Sequence, residues 1–276
     1  MSATADTIWQ VPVYLPYLQP ALTDEAIASV EEEIGYMLPK EYLDLLRKQN
    51  GGYIRYALPE CVHNTIAGIG PYFPRLTRGD WDVWQENVSY PLQGLVPFDG
   101  DGHWHLCLDY RQDSQAPSIT HADIECDEES HVAESFAAYL GLLRVRVDEE
   151  FVLDAVPDIE TVKASLSALL GVAFEPPDTW AQGYPVQRAR IGTDQYKNPL
   201  WVWISPNTVH RGFVRKDDRR YSELKDLMPG FAERFPELTA SSYILTASDE
   251  VRAKVLDACS RSGLLARSLR EYVAGI

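Results

Sequence analysis

Three side chains on one predicted strand have the types and the spacing that metal chemistry requires. His103, His105 and Cys107 occupy alternate positions, so they share one face of the strand. Imidazole and thiolate groups bind Zn²⁺. Three further donors follow downstream: His121, Cys126 and His131. Ligands at i, i+2 and i+4 nevertheless spread over about 14 Å of extended chain and converge only on a curled sheet. We therefore predict a half-exposed strand face and no cofactor, and a metal site on His103, His105 and Cys107 stays an open alternative.

The motifs of the common enzyme classes are absent from the sequence. It contains no GxGxxG or GxxxxGK[ST] loop, no HExxH zinc motif and no GxSxG nucleophile turn. Two Cys–His pairs are close in sequence: Cys61 with His63, and His105 with Cys107. A separation of two residues, however, does not define the geometry of a nucleophile and its base. The DGDG run at residues 99–102 lacks the closing glutamate of a calcium loop and is typical of a turn. The sequence therefore favours a protein that is not an enzyme.

Acidic side chains at two predicted turns are the main candidates for a partner-binding surface. One group lies in the DGDG run, and the other lies in an acidic loop expected between the last strand and the closing helix of the first half. Burial of so many like charges is unfavourable without paired cations, so we expect them to be exposed. The acidic candidates are Asp99, Asp101, Asp123, Glu125, Asp127, Glu128 and Glu129. Trp81 and Trp84, in an aromatic loop, are further candidate contacts. The alternative is that these charges are merely solvated and these rings merely buried.

The negative charge is confined to the first half of the chain. Residues 1–150 contain 25 Asp and Glu against 9 Lys and Arg, which accounts for the whole net charge of −16. Nucleic acid and anionic lipid surfaces are themselves negative, so we expect neither as a partner of this half. A basic protein partner fits, and a general contribution to solubility is the alternative.

Basic and aromatic residues are concentrated in one part of the second half. The basic positions are Arg188, Arg190, Arg211, Arg215, Lys216, Arg219 and Arg220. Trp201, Trp203 and Phe213 are interleaved with them, a combination that can bind single-stranded nucleic acid. This half is neutral overall, and the same arginines could instead face the acidic half. Nucleic-acid binding, or an enzyme in this half that carries no known motif, is therefore the weaker alternative.

Two short helices joined by a tight corner are predicted for residues 22–52. Ile27, Val30 and Ile34 recur at helical spacing, with Thr23 as the N-cap and Gly35 in the left-handed C-terminal position. The second helix is expected to begin at Pro39 and to end at three residues that tolerate positive φ. Its marker residues are Leu38, Pro39, Tyr42, Asn50, Gly51 and Gly52.

This pattern, an acidic helix followed by LPxxYxxLL and NGG, resembles the start of the SUKH superfamily. That superfamily includes fungal cell-wall-synthesis regulators of the Smi/Knr type and bacterial immunity proteins. A second block resembles it too, with Pro97 and Phe98 before a glycine turn and a strand that ends in Leu108 and Asp109. A strand at residues 118–121 and a closing helix at 132–143 follow in the same order. The resemblance covers roughly residues 8–147, and it implies that these motif residues build the fold.

The resemblance implies an α+β protein whose first domain, residues 1–150, is a SUKH-like mixed α/β domain. Residues 151–276 are predicted to form a second α+β domain of unknown type. The predicted helices there are residues 157–171, 221–235, 249–260 and 264–273, and the predicted strands are 184–191, 200–204, 209–215 and 242–246.

By the same resemblance, the expected function is that of a non-enzymatic binding module. It most resembles an immunity protein that neutralises a cognate toxin, of nuclease or deaminase type, by direct binding. A regulatory scaffold of the fungal type is the alternative. No apolar run approaches the 18 residues of a membrane span and no signal sequence is recognisable, so we expect a cytoplasmic protein with no membrane partner.

Overall fold

Two compact units make up the protein. The computed structural model describes residues 7–59, 63–154, 156 and 158–273, and the chain divides into Met1–Arg146 and Val147–Ile276. Each unit has a hydrophobic core of its own. Helices and antiparallel sheets occur in both units, so the predicted α+β fold class is confirmed.

The first unit combines two N-terminal helices, a four-stranded sheet and a closing helix. Its elements are β1 (Val13–Tyr14), α1 (Asp24–Ile34), α2 (Lys40–Lys48), β2 (Gly52–Tyr53), β3 (Tyr56–Ala57), β4 (Thr65–Ile66), α3 (Trp81–Trp84), β5 (Leu95–Gly100), β6 (Trp104–Asp109), β7 (Ser118–Asp123), β8 (Glu128–Ala133), α4 (Phe136–Leu142) and β9 (Arg144–Val145). Short 3₁₀ turns lie at Leu15–Tyr17 and Gln85–Asn87.

The first helix forms for the reasons that its sequence indicates. The Thr23 side chain accepts a hydrogen bond from a backbone N–H of the first turn, and Gly35 ends the helix with φ 80°. Ile27, Val30 and Ile34 lie on the buried stripe. The capping residues therefore fix the limits of α1, and the amphipathic pattern fixes the face that packs against the core.

The second helix differs in detail from the prediction. Pro39 is the extended residue before the helix, with ψ 139°, rather than its first helical residue. Asn50 does not take positive φ, whereas Gly51 and Gly52 do, at 88° and 124°. The side chain of Asn50 is buried instead, and its Oδ1 and Nδ2 bond the backbone N–H and carbonyl of Ile69 at 2.8 and 2.9 Å. Asn50 therefore joins two segments of backbone, which its turn propensity alone does not indicate.

The four-stranded antiparallel sheet has the order β5-β6-β7-β8 and is covered on both faces. Leu106 and Leu108 of β6 join the main core. Cys107, on the opposite face, is buried in a second cluster with Trp81 and Tyr90. The expected half-exposed face is therefore wrong at Cys107, because the aromatic loop before β5 folds over it.

Strand β8 is absent from the sequence prediction. Its first four residues are exposed and polar, so the segment has no apolar alternation to mark it as a strand. Pairing with β7 in the register Asp123↔Glu128 nevertheless holds it in the sheet. The acidic loop is therefore a hairpin turn, and the closing helix α4 begins at Phe136, after the Ser135 N-cap, rather than at residue 132.

The second unit packs two helices against a five-stranded antiparallel sheet. Its elements are β10 (Phe151–Leu153), α5 (Ile159–Leu170), β11 (Gln187–Thr193), β12 (Pro199–Pro206), β13 (Thr208–His210), β14 (Gly212–Phe213), α6 (Tyr221–Leu224), β15 (Phe231–Glu233), β16 (Tyr243–Ala247), α7 (Asp249–Arg261), β17 (Ala266–Ser268) and α8 (Leu269–Val273). The sheet order is β11-β12-β16-β10-β17, and β13 pairs with β15. Apolar residues of α5 and α7 form one core with β12 and β16.

Two of the predicted helices of the second unit are wrong in extent. The helix predicted for residues 221–235 ends at Leu224 and is followed by strand β15, and part of the helix predicted for 264–273 is strand β17. Pro229 and Gly230 interrupt the first of these segments, and Gly263 with φ 75° precedes the second. Strand β10 has only three residues, too few for a periodicity to be read from the sequence.

Candidate partner-binding surface

The β5–β6 turn and the β7–β8 turn lie at the same end of the four-stranded sheet. The register pairs Trp104, at the start of β6, with Asp123, at the end of β7. The Ile124 N–H donates to the His103 carbonyl over 2.7 Å, and His103 Nδ1 lies 3.3 Å from Glu125 Oε2. Two acidic segments that are separate in sequence thus form one surface. We call it the acidic edge and define it by Asp101, Asp123, Glu125, Asp127, Glu128 and Glu129.

The three aspartates of the acidic edge shape the turns. Each accepts backbone hydrogen bonds: Asp101 from the N–H groups of His103 and Trp104 at 2.9 and 3.2 Å, Asp123 from Cys126 at 2.8 Å, and Asp127 from Ser89 at 2.6 Å. A carboxylate has two oxygens and about four lone-pair sites, so such a bond uses only part of its capacity. It also leaves the negative charge in place. These residues therefore serve the fold and contribute to the potential of the edge.

The three glutamates of the edge are open to solvent to different degrees. The Glu125 side chain is 71% exposed and that of Glu129 is 34% exposed, while Glu128 is an exposed residue. Arg111 Nη2 lies 2.7 Å from Glu129 Oε2 and 2.7 Å from Asp109 Oδ2. Because Arg111 also compensates the buried Asp109, it cannot neutralise the edge.

Two titratable groups beside the acidic edge register its negative potential. The pKa of the exposed Cys126 thiol is raised, chiefly by the charge of Asp123, with Glu128 and Glu125 adding to it. The pKa of Tyr90 rises to about 12, first because its ring is buried and then because nearby carboxylates, Glu129 the foremost, oppose a phenolate. Both shifts have the sign that a concentration of negative charge produces.

Asp99 does not lie on this surface, and the expectation that it is exposed is wrong. The residue is 9% exposed, and its carboxylate bonds the His63 ring and the Thr65 hydroxyl. The other ring nitrogen of His63 bonds the Tyr139 hydroxyl. A partner for the buried carboxylate thus comes from a histidine that lies far away in sequence. Cys61, considered with His63 as a catalytic pair, lies outside the described residues.

The two tryptophans have different environments. Trp81 is 6% exposed, its Nε1–H donates to the Leu95 carbonyl over 2.7 Å, and its ring meets His105 edge-on at 5.3 Å between centroids. The expectation that Trp81 lies on a contact surface is therefore wrong, because its side chain is buried against the sheet. Trp84, three residues later on the same helical turn, is 39% exposed and stays a candidate contact.

Helices α1 and α2, the four-stranded sheet and most of α4 all fall inside one segment that comparison with known families identifies. Residues 21–141 match the SMI1 / KNR4 family (SUKH-1). The match confirms the resemblance to the SUKH superfamily over this segment and supports a binding module of the immunity-protein or Smi1/Knr4 type. Neither the curated proteins nor the solved structures contain a significant match to the chain. In the described part of the chain, no helix has the length and apolar character that a membrane crossing requires.

The motif residues of the SUKH-1 segment hold the fold together. Tyr42 is 0% exposed, and its hydroxyl donates to the Ala67 carbonyl over 2.5 Å. Phe98, also 0% exposed, packs edge-on against Tyr42 at 6.3 Å. Asp109 bonds the Thr120 hydroxyl at 2.8 Å as well as Arg111, so a buried charge at the end of β6 has its partners.

The possible metal ligands of the SUKH-1 segment do not converge. His103 is exposed and faces Glu125, His105 packs against Trp81, and Cys107 is buried on the sheet. Burial lowers the pKa of His105 and raises that of Cys107, so the thiol is held in its neutral form. Among the residues that the structure describes, no group of three or more His, Cys, Asp or Glu side chains could hold a metal ion.

Sequence reasoning missed the network of His63, Asp99, Thr65 and Tyr139. His63 is 36 residues from Asp99 and 76 from Tyr139, so no local pattern links them. A histidine between a carboxylate and a phenol could relay protons, but His63 is 1% exposed and a substrate cannot reach it. The hydrogen-bond network therefore has a structural role: it connects distant segments of the first unit, and we call it a structural tie.

In the second unit, two of the seven predicted basic positions lie on one hairpin. Arg188 pairs with Trp203 and Arg190 with Trp201 across β11 and β12. The Arg188 guanidinium lies 5.0 Å from the centre of the Trp201 ring, and its Nε donates to Glu175 over 2.7 Å. Glu175 therefore compensates one of the two cations, which weakens the case for a phosphate-binding strip on this face.

Proposed function

We propose that the first unit neutralises a basic toxin domain, of nuclease or deaminase type, by binding it through the acidic edge. One observation carries the proposal: six carboxylates meet at one end of the sheet, and Arg111, which contacts one of them, Glu129, is shared with the buried Asp109. The SUKH-1 match supports the immunity-protein type of module.

The physics of association supports the same function. A domain that cleaves or edits nucleic acid needs a positive cleft, because its substrate is a polyanion. A negative surface steers such a domain into encounter and competes with the substrate phosphates for the same cations. In this proposal the complex forms in the cytoplasm, where an immunity protein protects the cell that makes the toxin.

The test is the association rate with a basic toxin domain of nuclease or deaminase type that binds the parent protein, measured over a series of salt concentrations. The variant Glu125→Lys with Glu128→Lys reverses two exposed charges and leaves Glu129, the partner of Arg111, in place. We expect the association rate to fall about tenfold at low salt. The difference should shrink as added salt shortens the Debye length.

A matched control separates the acidic edge from the total charge. Glu32→Lys with Glu33→Lys makes the same change in net charge at two exposed positions of α1. We expect this control to keep an association rate close to that of the parent. Equal rates for the parent and the edge variant at low salt would reject the edge as the binding surface, and Trp84 would be the next position to change.

A further inference from the structure

A cavity of about 630 Å³ in the second unit is not explained by the proposed function of the first. Its walls come from the segment of residues 177–183, from β14 and the residues after it, and from the loops on either side of α6. A volume of this size is typical of small-molecule sites, which combine apolar walls with a few polar groups.

Aromatic rings form part of the wall. Trp180 is 54% exposed, a large fraction for a tryptophan, and the Arg215 guanidinium lies 4.5 Å from its ring centre. Phe213 and Tyr221 also line the cavity. Gly183, with φ 74°, lets the chain pass the Phe213 ring, since a Cβ there would lie 2.3 Å from Phe213 Cβ. The wall therefore offers flat faces, one of them already next to a cation.

The charged groups of the cavity carry a positive surplus. Arg215, Lys216 and Lys225 line it, against Asp178 and Asp226. Asp178 accepts the Trp180 backbone N–H over 2.9 Å, and Asp226 lies 3.8 Å from Lys225 Nζ. Both carboxylates thus have neighbours of their own, while Lys216 is exposed at the cavity.

We propose that this cavity binds a nucleoside monophosphate, with the base against the Trp180 wall and the phosphate at Lys216 and Lys225. A base has the flat π-face that stacks on an indole and on a guanidinium. The negative charge of a phosphate complements the excess of positive side chains, and the cavity is large enough for one nucleotide.

Two other ligand types fit less well. An acidic peptide would satisfy the lysines but would leave the flat ring faces without a partner. A longer single strand needs a groove that follows several phosphates in succession, whereas this site is one concave cavity of nucleotide size. The combination of ring and cation in one cavity therefore favours the mononucleotide.

The test is isothermal titration calorimetry of the full chain with AMP, GMP, CMP and UMP. The four corresponding nucleosides, inorganic phosphate and a short single-stranded oligonucleotide serve as comparison ligands. We expect at least one mononucleotide to bind, and its nucleoside and free phosphate each to bind at least about tenfold more weakly. Trp180→Ala should lower the affinity about tenfold or more, because stacking is lost, and Trp180→Phe should restore most of it. Lys216→Glu should lower it by a similar factor.

Lys254→Glu is the matched control, because Lys254 is exposed on α7 and does not line the cavity. We expect it to bind like the parent, and all variants to give the parent's circular-dichroism melt. The proposal is overturned if no mononucleotide binds at millimolar concentration, or if Trp180→Ala binds as tightly as the parent. It is also overturned if free phosphate binds as well as the nucleotide, or if the oligonucleotide binds about tenfold more tightly than any mononucleotide.

Discussion

At the scale of single residues, Tyr42 makes the most specific prediction about stability. Its ring is fully buried and its hydroxyl donates to the Ala67 carbonyl. Tyr42→Ala should cost roughly 3 kcal/mol of unfolding free energy or more, because it leaves a cavity in the main core. Tyr42→Phe keeps the ring and loses one hydrogen bond, so it should cost about 1 kcal/mol. Urea melts of both variants give the two values, and an unchanged midpoint for Tyr42→Ala would contradict the core position.

Cys126 reports the potential of the acidic edge without a binding partner. Its raised pKa means that less thiolate is present at pH 8 than in an ordinary cysteine, so alkylation should be slow. Glu125→Lys with Glu128→Lys removes two of the charges that raise this pKa. The alkylation rate by iodoacetamide should therefore increase at low salt, and the increase should shrink at high salt.

The alkylation measurement needs a background in which one thiol reacts. Cys107 and Cys259 are buried, and Cys61→Ser removes the fourth cysteine. Glu32→Lys with Glu33→Lys again controls for total charge. If the edge variant and this control react at the same rate, the potential at Cys126 does not come from the acidic edge.

Residue type and spacing predict the candidate site only in part. Asp99 and Asp101 are the same residue two positions apart, yet one is buried at 9% exposure and the other is exposed. The difference comes from His63, a residue of a distant segment that is the hydrogen-bond partner of Asp99. Trp81 is buried because it packs on one face of β6. The sequence of its own loop does not indicate which strand face the loop covers. Burial depends on such long-range pairs, which a single sequence does not reveal.

At the scale of elements, the sequence correctly predicts those helices and strands that have a clear periodicity of apolar residues and recognisable end signals. Helices α1, α5 and α7 and strands β7, β12 and β16 lie close to their predicted positions. Strand β8 was missed because it is an exposed, acidic edge strand, and β10 because it is too short. Pairing with a neighbouring strand holds both in place, and this tertiary contribution outweighs local propensity.

The network of Asp99 also acts at this scale, because it links three elements. Asp99 belongs to β5, Thr65 to β4, and His63 connects the carboxylate to Tyr139 on α4. Asp99→Ala should cost roughly 3 kcal/mol, because it leaves a buried histidine without its carboxylate. Glu128→Ala, on the exposed strand β8, should change the unfolding free energy by less than about 0.5 kcal/mol. Equal urea midpoints for these two variants would show that Asp99 is not a structural tie.

At the scale of the whole molecule, the excess of negative charge is concentrated in the first of the two units. All of the net charge of −16 lies within residues 1–150, and most of these residues belong to the unit Met1–Arg146. The proposed binding of a basic toxin domain uses the acidic edge of this unit. The proposed nucleotide site uses a positive cavity of the second unit, and residues 151–276, which contain this cavity, have no net charge. The two proposals therefore concern separate surfaces and can fail independently.

The domain division predicted after residue 150 has a direct test in limited proteolysis. Strand β9 ends at Val145, and β10, which pairs with β16 and β17 inside the five-stranded sheet, begins at Phe151. The sequence predicts cleavage of the boundary segment, residues 148–157. In the structure Asp148 and Glu149 are exposed, so we expect the first cleavage at these residues and their neighbours, while Pro157 lies outside the described residues. A glutamate-specific protease should cut after Glu149 before it cuts inside either unit, and mass spectrometry should find two resistant fragments. First cleavage within β6, with residues 146–150 intact, would show that the first unit does not fold as one stable body.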